Sequence, residues 1–268
     1  MIVDTHSKET LQKSICDYFH LSENELYCLF DSFYNSSCEL EEAIEEYIAT
    51  NILTPLDGVQ FYHLSRRLNG SNLKMGNNLY DLLLSKSIIS DFLSNYGIAF
   101  KKESDHLQLY CNGKLEELNY SSHGNVDYLK WRMGYIQDDE DYCFNGFALR
   151  DLLQHNTSYY NQLGFCPEFI CQLAQVIDKE SIIWDYRENS KYYCLEYLLP
   201  IDMVIIDGKE YLKSSKGKTE VLLSAFMLRL YNYWFDSGYS FDHDNVILRL
   251  SDTDTMEERY FVRAEELD

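Results

Sequence analysis

Residues 54–64, TPLDGVQFYHL, decide the fold class because the spacing of the apolar residues changes within them. On their N-terminal side, apolar residues recur three and four positions apart, which is typical of amphipathic helices. From Val59 to Leu64 the run is short, apolar and flanked by the turn signals Asp57-Gly58 and Asn69-Gly70-Ser71, which predicts a strand. A helical segment is therefore followed by a segment that contains strands.

Two or three amphipathic helices are predicted over residues 8–50. Ser22 and Glu25 have the spacing of a capping box, which marks the start of the second helix. The apolar positions at helical spacing are Leu11, Ile15, Tyr18, Phe19, Leu26, Leu29, Phe30, Phe33, Leu40, Ile44, Tyr47 and Ile48. We therefore expect residues 1–57 to form a small helical N-terminal unit, separable from an α+β domain over residues 58–268.

Helices and strands alternate irregularly in the rest of the chain. Helical spacing predicts helices at 79–84, 88–93 and 219–235. Runs of β-prone residues predict strands at 107–111, 181–186, 191–199, 203–206, 210–213, 246–250 and 259–263. Asn112-Gly113 is a hairpin-turn signal. Because regular βαβ units are absent, the pattern predicts an α+β fold with a mixed sheet core.

The composition is that of a folded, strongly acidic protein. The 268 residues are 46% hydrophobic and 15% aromatic, which is enough apolar surface for a full core. The 44 acidic and 23 basic residues give a net charge of -21, which disfavours binding to nucleic acid or to an anionic membrane. Such acidity serves solubility, or it suits docking on a basic partner.

The cellular location is predicted from the targeting and membrane-spanning signals that the sequence lacks. The N-terminal residues show no basic segment followed by an apolar one, and no apolar run reaches the length of a membrane span. The eight cysteines have no paired spacing, which is typical of a reducing compartment and of buried thiols. We expect a cytoplasmic protein that does not bind a membrane.

Most motifs that carry chemistry are absent. Residues 215–219, SKGKT, end like a phosphate-binding loop, but Leu212 stands where that motif requires glycine, so we interpret them as a lysine-rich turn. The patterns GxGxxG, HExxH and GxSxG do not occur, and no two histidines are four residues apart. A metal site is therefore not expected.

Three separated segments remain as candidates for a site. His63 ends an apolar strand and is followed by Ser65 and Arg66. Residues 146–151, GFALRD, precede Asn156, Tyr159 and Tyr160, and residues 193–199, YCLEYLL, contain Glu196. In the order His, Tyr, Glu, these segments resemble the His-Tyr-Glu branch of the ADP-ribosyltransferase superfamily. Ala148 departs from that pattern, because several members have a tyrosine at this point.

The resemblance implies an enzyme that uses NAD as its substrate and transfers ADP-ribose, with the NAD cleft in the 58–268 domain. It assigns catalysis to Glu196, His63 and Tyr159. It assigns NAD binding to His63, Ser65, Arg66, Gly146, Asn156 and Tyr160. Cleavage of the bond between nicotinamide and ribose develops positive charge on the sugar, which a carboxylate stabilises without a metal.

Two other functions fit the sequence. A non-catalytic acidic interaction or inhibitor protein would dock on a basic partner surface with exposed tyrosines as anchors. A nuclease or hydrolase would use the acidic residues 138–141, although adjacent acids are commonly a solvated turn. The sequence leaves both alternatives open.

Overall fold

The computed structural model describes residues 1–51, 54–119, 124–136, 141–155, 157–235 and 245–267. The helices are α1 (Lys8–Phe19), α2 (Glu23–Tyr34), α3 (Leu40–Asn51), α4 (Leu79–Leu84), α5 (Ile88–Ser94), α6 (Val126–Arg132), α7 (Leu152–His155), α8 (Thr157–Phe165), α9 (Glu168–Val176), α10 (Ser181–Glu188) and α11 (Ser215–Phe235). The strands are β1 (Ile2–Val3), β2 (Gly58–Leu68), β3 (Ile98–Glu103), β4 (His106–Cys111), β5 (Lys114–Leu115), β6 (Asn145–Phe147), β7 (Ser190–Pro200), β8 (Ile205–Ile206), β9 (Ile247–Arg249) and β10 (Phe261–Leu267). The predicted α+β class is confirmed.

Two sheets form from these strands. The larger has the order β10-β7-β2-β6-β9-β8, and β1 pairs in parallel with β2. The pairs β2–β6, β6–β9 and β8–β9 are antiparallel, so the sheet is mixed, as predicted. The smaller sheet is β3-β4-β5, in which the hairpin turn between β4 and β5 places Asn112 and Gly113 at φ 52° and 78°.

The chain divides into two compact units, and the division falls inside β2 and β7. The first unit comprises residues 1–62, 145–157 and 196–249, and the second comprises 63–144, 158–195 and 250–268. Residues 1–57 thus belong to a larger unit that also contains α11. Whether they can be separated from the rest stays a prediction.

In the first unit, a helical layer packs on α11, which contacts both α1 and α3. The predicted capping box of Ser22 and Glu25 is present, and Ser7 and Thr10 form a second one at the start of α1. Phe30 of α2 is fully buried. Its ring lies edge-on to Tyr231 and Trp234 of α11, with centroids 5.8 and 5.4 Å apart. The layer is therefore held by apolar and aromatic packing.

The second unit has its own core under the small sheet. Leu107 and Leu109 of β4 are fully buried together with Leu129 of α6 and Leu173 of α9. Residues 79–84 and 88–94 are the helices α4 and α5, as their spacing predicts. The strand predicted at 107–111 is confirmed as β4.

Three predictions of local structure are wrong. Residues 181–186 belong to helix α10, because Ile182, Ile183 and Tyr186 are the buried residues and lie on one helical face. Residues 210–213 form a turn after Gly208 instead of a strand. Residues 215–219 are the first turn of α11. The Lys218 ammonium can be buried there because it donates to the carbonyls of Ile201 and Asp202, each at 3.2 Å.

Four of the eight cysteines are buried, as predicted for them. Cys16, Cys143, Cys166 and Cys194 are buried, whereas Cys28 and Cys38 of the helical layer are exposed. Among the described helices, none combines the length and the apolar character needed to cross a membrane.

Candidate functional site

Glu196 lies on β7 and is buried, with 3% of its surface exposed. One carboxylate oxygen accepts a hydrogen bond from the Gln60 side-chain amide at 3.0 Å. The other lies 3.4 Å from His6 Nδ1. A buried carboxylate requires such partners, because leaving it unpaired away from water is costly.

Gln60 is itself held by its neighbours on the first unit. The Tyr62 hydroxyl donates to the Gln60 side-chain oxygen at 2.9 Å, and the Thr5 backbone N–H donates to the same oxygen. The Thr5 hydroxyl donates to the carbonyl of Ala148 at 2.6 Å. We call Thr5, His6, Gln60, Tyr62 and Glu196 the Glu196 network. Its members come from β2, β7 and the segment before α1.

His6 connects this network to solvent, since 32% of its side chain is exposed, against 4% for Glu196. An imidazole oriented by a carboxylate is the arrangement of a general acid or base. His6 carries no functional signal in the sequence, because Ser7, the next residue, caps α1 and the segment has the pattern of a helix start. Gln60 carries none because an amide in a strand has no distinctive signal.

Gly146 of β6 belongs to the same unit and has a packing role. A Cβ at this position would lie 2.5 Å from the Phe61 ring and 2.7 Å from the carbonyl oxygen of Tyr62. Only glycine allows β6 to approach β2 so closely. This requirement accounts for Gly146 without a ligand.

His63 belongs to the second unit, where its ring packs on Phe144 at a centroid distance of 4.1 Å. In strand β2, Gln60 and His63 are three positions apart, so their side chains project from opposite faces of that strand. His63 is therefore held by an aromatic contact rather than left as a free polar group.

Arg66 and Tyr160, both assigned to NAD by the resemblance, line one cavity of 470 Å³ in the second unit. Arg187 and Lys191 also line it. The Arg66 guanidinium donates to the Ser190 hydroxyl at 2.8 Å and to the carbonyl of Gly164 at 2.6 Å. Burial, followed by the nearby Arg187, lowers the pKa of Arg66. Glu266 lines the cavity too and pairs with Lys191, so the two arginines supply its excess of positive charge.

The other predicted site residues are distributed as follows. Ser65 lines a separate cavity with Arg66 and Arg67. Burial, and then the Glu168 carboxylate, raises the pKa of Tyr159. Asn156 lies outside the described residues. Glu196 and Gly146 belong to the first unit, whereas His63, Ser65, Arg66, Tyr159 and Tyr160 belong to the second.

Of the acidic loop 138–141, the structure describes only Asp141. It forms an ion pair with Arg132, and the Cys143 thiol donates to it at 3.3 Å. Asp141, Cys143 and Asp252 have potential metal-ligating atoms within 4.8 Å of one another. The Arg132 guanidinium offsets the charge of Asp141, and the Tyr142 backbone N–H donates to Asp252 at 2.9 Å.

A second functional feature is the acidic helical surface, which we define as the exposed acids of α2, α3 and their connection. Its members are Glu23, Glu25, Asp31, Glu39, Glu41, Glu42, Glu45 and Glu46. Two tyrosines on α2 are also exposed, Tyr27 by 51% and Tyr34 by 66%. Their rings stack with Phe235 of α11, at centroid distances of 5.5 and 6.0 Å.

Comparisons of this chain with protein-family models, with curated proteins and with solved structures find no match. The resemblance to ADP-ribosyltransferases therefore stays a prediction, and the function is inferred from the residues and their geometry.

Proposed function

We propose that this chain is a non-catalytic, cytoplasmic interaction protein whose acidic helical surface docks on a basic partner protein. One observation carries the proposal: the 52 residues from Ser14 to Ser65 contain ten acids and no lysine or arginine. The acids are Asp17, Glu23, Glu25, Asp31, Glu39, Glu41, Glu42, Glu45, Glu46 and Asp57. They contribute -10 of the net charge of -21.

A surface with one sign of charge steers an oppositely charged partner and speeds its association. Affinity then requires anchors that bury apolar area, for which aromatic side chains are suited. Tyr27 and Tyr34 meet this need, because both are exposed and both are supported from behind by Phe235. Charge and anchors thus occur on the same helix, α2.

The test is the association rate with a lysine-rich, leucine-containing helical peptide, measured from 50 to 300 mM salt. A variant with Gln at Glu41, Glu42, Glu45 and Glu46 should associate about tenfold more slowly at low salt and show a flatter salt dependence. The matched control replaces the exposed acids Glu103, Glu117, Glu180 and Glu188, and should associate like the wild type. Equal loss in both variants would mean that only net charge matters, and the proposal would fail.

A second candidate is NAD cleavage with transfer of ADP-ribose, which the cavity containing Arg66 and Tyr160 favours. Guanidinium groups suit the diphosphate of such a ligand, and a tyrosine ring suits an aromatic base. The resemblance to ADP-ribosyltransferases assigns stabilisation of the positive charge that develops on the ribose to Glu196. The hydrogen bond from Gln60 would hold its carboxylate in one position.

This candidate predicts that NAD raises the melting temperature of the protein, because a ligand that binds only the folded state stabilises it. It also predicts that the wild type releases nicotinamide from NAD. In Glu196→Gln the rate of release should fall by orders of magnitude, while NAD still raises the melting temperature of that variant. His63→Ala should weaken NAD binding as well. If NAD does not raise the melting temperature of the wild type and the wild type does not cleave NAD, this candidate is excluded.

A further inference from the structure

A groove in the first unit lies between α3, α11 and the β8–β9 end of the larger sheet. It encloses a cavity of 340 Å³. The apolar side chains that line it include Ile44, Ile206, Val221, Ala225, Leu228 and Ile247. We call it the α3–α11 groove.

The groove is accessible because small side chains leave space between the two helices. Ser224 and Ala225 of α11 line it, where larger residues would fill it. Ile44 and Ile206, exposed by 1% and 3%, form its floor, whereas Ile247 at its edge is 40% exposed. An exposed isoleucine beside an apolar floor is the arrangement expected where apolar side chains of a partner dock.

The rim of the groove is acidic. Glu41 and Glu45 are one helical turn apart on α3, and both line the groove and are exposed. Within the described chain neither carboxylate has an ion-pair partner. Like charges four residues apart on a helix repel each other, and a cation placed between them would remove that repulsion. The lysine on the rim is Lys209.

We infer that the α3–α11 groove binds a basic amphipathic helix of the partner protein. Apolar side chains of that helix enter the groove, and its flanking lysines or arginines pair with Glu41 and Glu45. The inference rests on the proposed function and specifies where and how the partner docks.

A helix fits this site better than a strand. The groove runs between two helices, and ridges of side chains from a third helix pack into such a groove. A strand would instead have to extend the sheet at β8, which is only two residues long, Ile205–Ile206. So short an edge offers few backbone hydrogen bonds.

The experiment measures binding of a fluorescein-labelled helical peptide to the full chain. The peptide carries leucines at i, i+4 and i+7 and lysines on both flanks, and a matched peptide has serines in place of the leucines. Two variants change the groove: Ala225→Trp fills it, and Ile247→Ser removes the apolar edge without adding bulk. Circular dichroism and the melting temperature identify any variant that fails to fold.

We expect Ala225→Trp and Ile247→Ser to weaken binding of the leucine peptide by at least about tenfold. Glu41→Gln with Glu45→Gln should mainly slow association, and Glu103→Gln with Glu117→Gln should have no effect. The serine peptide should bind the wild type weakly.

Three results would overturn the inference. The first is equal binding of both peptides to the wild type. The second is that Ile247→Ser and folded Ala225→Trp bind the leucine peptide as the wild type does, whereas the variant with the four α3 glutamates replaced loses binding. The partner would then dock elsewhere on the acidic helical surface, and the proposed function would stand. The third is a dimer of the wild type that Ala225→Trp dissociates, since the groove would then hold a second copy. Failure of the proposed function is distinct: the four α3 replacements would then change association no more than the control.

Discussion

At the scale of the residue, the Glu196 network shows how a buried carboxylate is accommodated. Glu196 accepts a hydrogen bond from Gln60, and the Tyr62 hydroxyl fixes the orientation of the Gln60 amide. The partly exposed His6 lies on the other side of the carboxylate. The amide donor and the imidazole both stabilise the buried charge.

Glu196→Gln should lower the free energy of unfolding by about 1–3 kcal/mol, because the Gln60 N–H would then face an amide that is a weaker acceptor than a carboxylate. Urea unfolding at pH 7 measures this. The control is Glu266→Gln, because Glu266 pairs with Lys191 at the surface with 53% of its side chain exposed. Its loss should be below about 1 kcal/mol. Equal losses would contradict this account of the network.

Tyr96 makes the free energy of unfolding depend on pH in the alkaline range. Burial, and then its hydrogen bond to Asp185, raises the pKa of Tyr96 from 10.0 to about 12. The folded state therefore holds this proton more tightly than the unfolded state, so stability is fully present below pH 10 and falls as the pH rises towards 12.

Tyr96→Phe should cost about 1 kcal/mol at pH 8, and its difference from the wild type should shrink between about pH 10 and 12. Unfolding by urea across this pH range measures both effects. Tyr211→Phe, at a side chain that is 75% exposed, is the control and should follow the wild type. A constant difference at all pH values would show that Tyr96 is not the titrating group.

At the scale of the element, α2 is attached to α11 by the buried Phe30, and Tyr27 and Tyr34 on the same face contact Phe235 of α11 while staying exposed. Phe30 is fully buried and Tyr34 is 66% exposed. The two residues are four positions apart on one helix, which makes them a matched pair.

Phe30→Ala should destabilise the protein by about 3–5 kcal/mol, because the large ring leaves a cavity that the surroundings only partly fill. Tyr34→Ala should lower the free energy of unfolding by less than about 1 kcal/mol. It should nevertheless weaken binding of the lysine-rich peptide, since Tyr34 is a proposed anchor. Chemical unfolding and peptide binding test both. A larger stability loss for Tyr34→Ala than for Phe30→Ala would refute the packing described for α2.

At the scale of the whole molecule, the excess of acidic residues opposes folding. A net charge of -21 makes the compact state repel itself, and salt screens that repulsion. The melting temperature should therefore rise from 10 to 300 mM NaCl, and rise less in the variant with four α3 glutamates replaced by Gln. A melting temperature that falls with added salt would contradict this expectation.

Deletion of residues 1–57 tests the independence of the helical N-terminal segment. Removing α1 and α3 uncovers the face of α11 that they contact. The ring contacts of Phe30 with Tyr231 and Trp234 of α11 are lost as well. These contacts argue against the separability that the sequence predicts, so we expect residues 58–268 to aggregate, as gel filtration and circular dichroism would show. A monomeric, folded fragment would establish that residues 1–57 are a separable unit.

Features that depend on neighbours in the chain are predictable from the residues alone. The capping box at Ser22, the turn at Asn112-Gly113 and the change of period before Val59 are local signals, and the structure confirms each. The net charge is also known from the sequence, because it follows from the residue counts. Periodicity also located α11 and β7, since each is long enough for its pattern to be unambiguous.

Features that depend on distant contacts are visible only in the folded protein. Residues 181–186 have strand-forming residues but fold as α10, because burial selected their helical face. Gln60 and Glu196 are 136 positions apart and meet only through folding. The exposure of Glu41 and Glu45 beside an apolar groove likewise arises from the packing of α3 on α11. Such contacts have no signature in the sequence, because they depend on which surfaces the packed core leaves uncovered.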